Sequence, residues 1–161
     1  MKKFLLSTIF IFGSMNFVFA DDVADCSAAG GALVSGVVTK APYFKSGSSL
    51  KGVELSHTHL SLTSDNDGQT YDVAMDNVFA SGYDQSNNTI PYPLSTIKKN
   101  DHLQLCGALY TSGAVGIHWV HTNCGNTPTA AQPNGWVKEI NQDSTVGDNF
   151  ENSTEYCNLW N

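Results

Sequence analysis

Four histidines are the side chains of this sequence best suited to chemistry. His57 and His59 stand two apart in a β-branched stretch, and His118 and His121 stand three apart in another. Neutral imidazoles are good transition-metal ligands, and residues two apart on a strand point to the same side. His57, His118 and His121 are therefore a candidate zinc or copper set. With a bound water as nucleophile and Asp76 or Asp101 as general base, they would make a metal-dependent hydrolase. The second pair works against this reading, because residues three apart on a flat strand face opposite sides unless the chain bends between them. Ordinary hydrogen-bonded histidines are the simpler account of the same residues.

Aromatic residues carry the competing chemistry. Tyr43, Phe44, Tyr110, Trp119 and Trp136 offer amphipathic rings that lose few rotors on binding and stack well on a glycan, a peptide or a host protein. Trp119 alternates with Ile117, which places it in the core, whereas Trp136 sits in a loop-like stretch and is the better surface candidate. Trp119, Trp136 and Tyr110 are the expected ligand contacts. A non-catalytic binding module, of the kind a bacterium exports as an effector, ranks above the hydrolase because no activated nucleophile or convergent acid–base pair is visible. There is no G-x-S-x-G elbow and no phosphate-binding glycine loop. Asp65-Asn66-Asp67-Gly68 begins like a calcium loop but lacks the later glutamate, and reads as a hairpin turn.

The elements that must position these residues are strands. Residues 32–39 form a first strand that the Ala41-Pro42 step ends. Within 52–63 the apolar alternation changes phase around His57-Thr58-His59, which implies a bulge or bend. Tyr71, Val73 and Met75 alternate on a third strand, and 77–100 reads as a long surface loop. A fourth strand carries Leu103, Leu105 and Leu109 on one face, and a fifth carries Ile117, Trp119 and His121 inward. Five short strands with a long connection before the fourth predict an all-β fold, a small five-stranded barrel of the oligonucleotide/oligosaccharide-binding (OB) type. A β-sandwich would need about seven strands. From Asn123 onward the chain is a polar tail that Trp136-Val137 and Leu159-Trp160 pin to the barrel.

Compartment and charge narrow the partners. Residues 1–20 read as a secretory signal, with Lys2 and Lys3 before an apolar run that ends in Val18-Phe19-Ala20. Residues 21–161 then form one exported domain with its core at about 32–138, periplasmic or secreted, monomeric, and without a second apolar stretch of membrane-spanning length. Cys26, Cys106, Cys124 and Cys157 predict two disulfides, and any of the three pairings is open. Net charge is −7 and there is no arginine. Nucleic-acid backbones are bound by basic surfaces, so nucleic acid is excluded as an expected partner, and so is anionic lipid through a polybasic patch.

The segment Val115-Gly116-Ile117-His118-Trp119-Val120-His121-Thr122-Asn123, followed by Gly135-Trp136-Val137-Lys138, resembles the signature of a small exported bacterial family, the domain of unknown function numbered 3465. There a His-Trp-Thr-His-His-Asp run precedes a Gly-Trp-Ile-x-His segment. Upstream, Ser56-His57 with Leu60 is similar to the family's Pro-His-Gln-Arg-Phe stretch, and Gly68-Gln69-Thr70 to its Ser-Gly-Gln-Thr turn. Pro93-Leu94 with Lys98-Lys99-Asn100-Asp101 is similar to its Pro-Leu-Lys-Lys-Gly-Asp step. The resemblance covers roughly residues 34 to 138. It implies an OB-like barrel and shared positions at His57, His118, Trp119, His121 and Trp136, and it implies no activity. Ala74-Met75-Asp76 stands where the family has Ala-His-Asn, and Thr122 replaces the second histidine of His-His-Asp. Those two departures weaken a shared metal centre.

Overall fold

The structure, a computed structural model, describes residues 19–160; the first eighteen residues of the expected signal lie outside the described residues. One helix, α1 (Phe19–Ala28), precedes eight strands. These are β1 (Ala32–Lys45), β2 (Ser49–Leu50), β3 (Val53–Glu54), β4 (His57–Ser64), β5 (Thr70–Asp76), β6 (His102–Tyr110), β7 (Gly116–His118) and β8 (Trp136–Glu139). β1 pairs antiparallel with β4, and β4 with β5. β5 runs parallel to β7, β7 antiparallel to β6, and β6 returns to β1. That circuit closes a five-stranded barrel with the expected OB-like order, and β8 adds beside β6.

Alternation explains the core. Val34 and Val38 of β1, Leu60 and Leu62 of β4, Tyr71, Val73 and Met75 of β5, Leu103 and Leu105 of β6 and Ile117 of β7 fill the barrel interior. Each aliphatic side chain so buried contributes about 1.5–3 kcal/mol. At Gly36 a Cβ would lie 2.1 Å from the Thr63 carbonyl oxygen, so β1 and β4 approach there as only glycine allows. Leu109, expected beside Leu103 and Leu105, is instead 50% exposed near the end of β6.

Two strand boundaries differ from expectation. β1 continues through Ala41-Pro42, because the pairing slips there: Lys40 faces Ser61 while Tyr43 faces His59. The extra residue is a bulge, where the missing proline N–H costs the ladder nothing. The change of phase in 52–63 is a break between β3 and β4 at Leu55-Ser56, and β3 turns back on β2 as a small hairpin.

The connection over 77–101 is irregular and runs over the surface for much of its length, as expected, but parts of it enter the core. Ala80, Leu94 and Ile97 join the main core, and Val78, Phe79 and Tyr83 build a second cluster with Tyr156 and Cys157. Single 3-10 turns at Asn77–Phe79 and Leu94–Thr96 hold the segment without a periodic apolar pattern. Buried Asn77 anchors it to β4, accepting from the Thr58 hydroxyl at 2.6 Å and donating to the Ser56 hydroxyl at 3.0 Å.

Cys26 bonds Cys106, tying α1 to β6, and Cys124 bonds Cys157, tethering the C-terminal tail. Gln104 on the outer face of β6 donates to Asp22 of α1 and accepts from the Trp136 indole N–H at 3.1 Å. Trp136 is thus part of β8 and packs on the barrel wall rather than standing in a free loop. Among the described residues no helix is long and apolar enough to cross a membrane.

Candidate functional site

The outer faces of β4 and β5 carry what the interior alternation leaves over. His57 and His59 project outward from β4, and Asp72, Ala74 and Asp76 from β5. Antiparallel register sets His57 opposite Asp76, and His57 Nε2 lies 2.5 Å from Asp76 Oδ1. His59 Nδ1 instead meets Asp72 at 3.2 Å, and Asp72 also accepts the Tyr110 hydroxyl at 2.6 Å. Burial, followed by that hydrogen bond to Asp72, raises the Tyr110 phenol, which stays protonated.

His121 arrives from the far end of β7 through an unusual residue. Trp119 has a left-handed φ of 55°, a conformation that costs a non-glycine residue of order 1–3 kcal/mol. The turn breaks the expected alternation. Ile117 and Val120 both face the core, Trp119 does not, and His118 and His121 are freed to reach the same outer site. His121 Nδ1 donates to the Thr122 carbonyl at 2.7 Å, and its Nε2 stands 3.0 Å from Asp76 Oδ2 without a well-aligned hydrogen bond. Burial would raise the Asp76 carboxyl, but the close imidazoles of His121 and His57 outweigh it and hold Asp76 well below the usual carboxylate range. Burial, helped by neighbouring His121 and His57 and opposed by Asp76, draws the His118 imidazole below its ordinary value.

Aromatic rings wall this floor. Phe79, from the turn after β5, stacks on Trp160 with centroids 5.2 Å apart, while Trp119 leans on His121 at 4.9 Å. Trp160 belongs to the turn Cys157–Trp160, which the Cys124–Cys157 bond holds in place. A cavity of about 300 Å³ opens between His57, Asp76, His118, His121, Trp119 and Trp160. A second, of about 320 Å³, lies along Trp119 and Trp160 toward Asn123 and Gln132. A third, of about 360 Å³, lies between Lys45, His57, His59, His118 and Tyr110. Gly47 brings the β1–β2 connection close: a Cβ there would fall 1.6 Å from the Leu55 carbonyl oxygen and 3.3 Å from His57 Nδ1.

Glu151 is fully buried, and neither of its carboxyl oxygens has a well-formed partner. Burial first, and then the charge of Asp76, push it well above the usual range, and the backbone N–H of Asp76 does not offset them.

His57, His118 and His121 therefore converge, together with Asp76 and Trp119. Tyr110 and His59 sit on the adjoining stretch of the same face. Trp136 is held on β8 by Gln104, and Asp101 accepts the Lys98 N–H at 2.7 Å outside the three cavities. All four predicted cysteines are in disulfides. Two of the imidazoles direct Nε2 at Asp76, and among the described residues no group of three or more His, Cys, Asp or Glu side chains is placed to hold a metal ion. Phe79, Asp72 and Glu151 escaped sequence reasoning. The only signal available was that Phe79 follows Asp76 by three residues at the end of an alternating strand. No family profile, curated protein or solved structure matches this chain.

Proposed function

We propose that this protein is an exported bacterial binding module, periplasmic or released, and that its ligand is a glycan. The reading rests on one observation: a cavity walled by Trp119 and Trp160 whose floor is a hydrogen-bonding set of His57, Asp76 and His121. Sugars present flat C–H faces to aromatic rings and hydroxyls to paired imidazoles and carboxylates, so this combination suits them. His57 and Asp76 lie on the two strands, and Ser48 and Leu55 in the first connection, that OB-type barrels use for oligomeric ligands. Both disulfides fit an oxidising compartment. Membership in the domain family numbered 3465 is part of the same proposal, since four of the five shared positions, His57, His118, Trp119 and His121, line the cavity, and the fifth, Trp136, does not.

A glycan array of bacterial and host sugars tests it. Selective retention is expected, with Trp119→Ala weakening it at least tenfold. Silence across the array would refute the reading, and cleavage of a retained glycan would move the protein to the enzymes.

A further inference from the structure

Resting on the glycan reading, we infer that the site is a track for a neutral oligosaccharide chain rather than a seat for a single sugar. The three cavities adjoin. The middle one shares Phe79, Trp119, His121 and Trp160 with the second, and His57, Ala74 and His118 with the third. Each alone lies at the low end of the ~300–1,000 Å³ usual for a ligand pocket, whereas three side by side on one face suit a chain.

Their chemistry repeats as a repeating ligand requires. One end pairs indole faces with the amides of Asn123 and Gln132. The middle pairs Trp119 with the imidazoles around Asp76. The far end pairs the Tyr110 ring with His59 and Lys45. Both carboxylates are already engaged, Asp76 by two imidazoles and Asp72 by His59 and the Tyr110 hydroxyl. The walls thus offer hydrogen bonds rather than unpaired negative charge, which suits an uncharged chain, and the exposed Lys45 ammonium at the far end is a donor to its hydroxyls.

A peptide is the less suitable occupant, because extended peptides commonly add to a free sheet edge. Here the barrel is closed, and the outer side of β8 is taken by the tail: Phe150 N–H donates to the Val137 carbonyl and Gly147 N–H to the Glu139 carbonyl, each at 2.8 Å. A polynucleotide meets a net charge of −7 and no arginine.

Isothermal titration with β-1,4-linked glucose and N-acetylglucosamine ladders of about one to six units tests the track. Affinity is expected to rise at least tenfold, about 1.4 kcal/mol, between roughly two and four units and then level off. Tyr110→Ala, and Lys45→Ala on an exposed side chain that tests the same end without touching packed residues, bring tetrasaccharide affinity down toward the disaccharide value. Equal affinity for the disaccharide and every longer member overturns the track and leaves the glycan reading standing. Silence across both ladders also overturns it, and only a silent array takes the broader reading with it.

Discussion

The ring of Phe79 lies 3.8 Å from the ring of His121 and within 6° of parallel. One follows β5 and the other lies just beyond β7, the two strands that pair in parallel. The stack fixes the plane of the imidazole while Thr122 holds its Nδ1, so Nε2 has little freedom to leave Asp76.

Replacing Phe79 by leucine keeps most of the buried volume and removes the stack. Glycan affinity is expected to fall at least tenfold, while stability falls by only about 1 kcal/mol, as for a tolerated hydrophobic exchange. Paired calorimetric titration and thermal unfolding separate the two effects. Unchanged affinity would mean that the stack does not orient His121.

Trp119 pays for its position in backbone strain, and a matched pair of variants exposes it. Both Trp119→Gly and Trp119→Ala remove the indole, but only glycine accepts φ near 55° without penalty. The glycine variant should be the more stable by about 1 kcal/mol, with both defective in binding. An alanine variant as stable as the glycine variant would show that the residue is not strained.

Glu151 gives stability a pH dependence of known sign. Its folded value is raised above the ordinary 4.5, so above that pH the native state holds a proton the unfolded chain has released. Its contribution is complete below 4.5 and declines as pH rises toward the folded value. Asp76 acts oppositely: its stabilisation is present above the ordinary 3.8 and is lost as pH falls toward the depressed folded value. Glu151→Gln should therefore flatten the decline of the melting temperature above pH 4.5. An undiminished slope in the variant would place the titration elsewhere.

The Cys124–Cys157 bond closes a span of 33 residues, for which the chain-entropy account gives about 4 kcal/mol. A Cys124→Ser/Cys157→Ser variant should melt roughly 10 °C lower. It should also lose glycan affinity well below its melting point, because Trp160 is no longer held against Phe79. Full affinity in the cold variant would remove Trp160 from the site.

The barrel was legible because its signal is local and repetitive: Leu60 and Leu62, Tyr71, Val73 and Met75, and Leu103 and Leu105 alternate, and Asn66-Asp67-Gly68 turns the β4–β5 hairpin, with Gly68 at a positive φ. The convergence of His57, His118 and His121 was foreseen only on condition of a bend. Nothing in a tryptophan's identity announces a left-handed φ, so the reversal that puts Val120 inside and Trp119 at the cavity was invisible. The core role of Leu94 and Ile97 was equally hidden, since irregular turns bury residues at no fixed period. Pro42 misled for a related reason: proline ends a regular strand but sits comfortably in a bulge, and a bulge exists only relative to its partner strand. The disulfide pairing depended on which segments meet, α1 with β6 and the Cys124 turn with the C-terminal turn, which four cysteine positions do not encode.

Of the three tryptophans in the chain, Trp119 and Trp160 wall the cavities, while Trp136 is hydrogen-bonded to Gln104 on β8 and lines none of the three. The molecule therefore carries its own optical gauge. Filling the groove changes the surroundings of two indoles and leaves the third as an internal reference, so emission from the unlabelled protein reports occupancy directly.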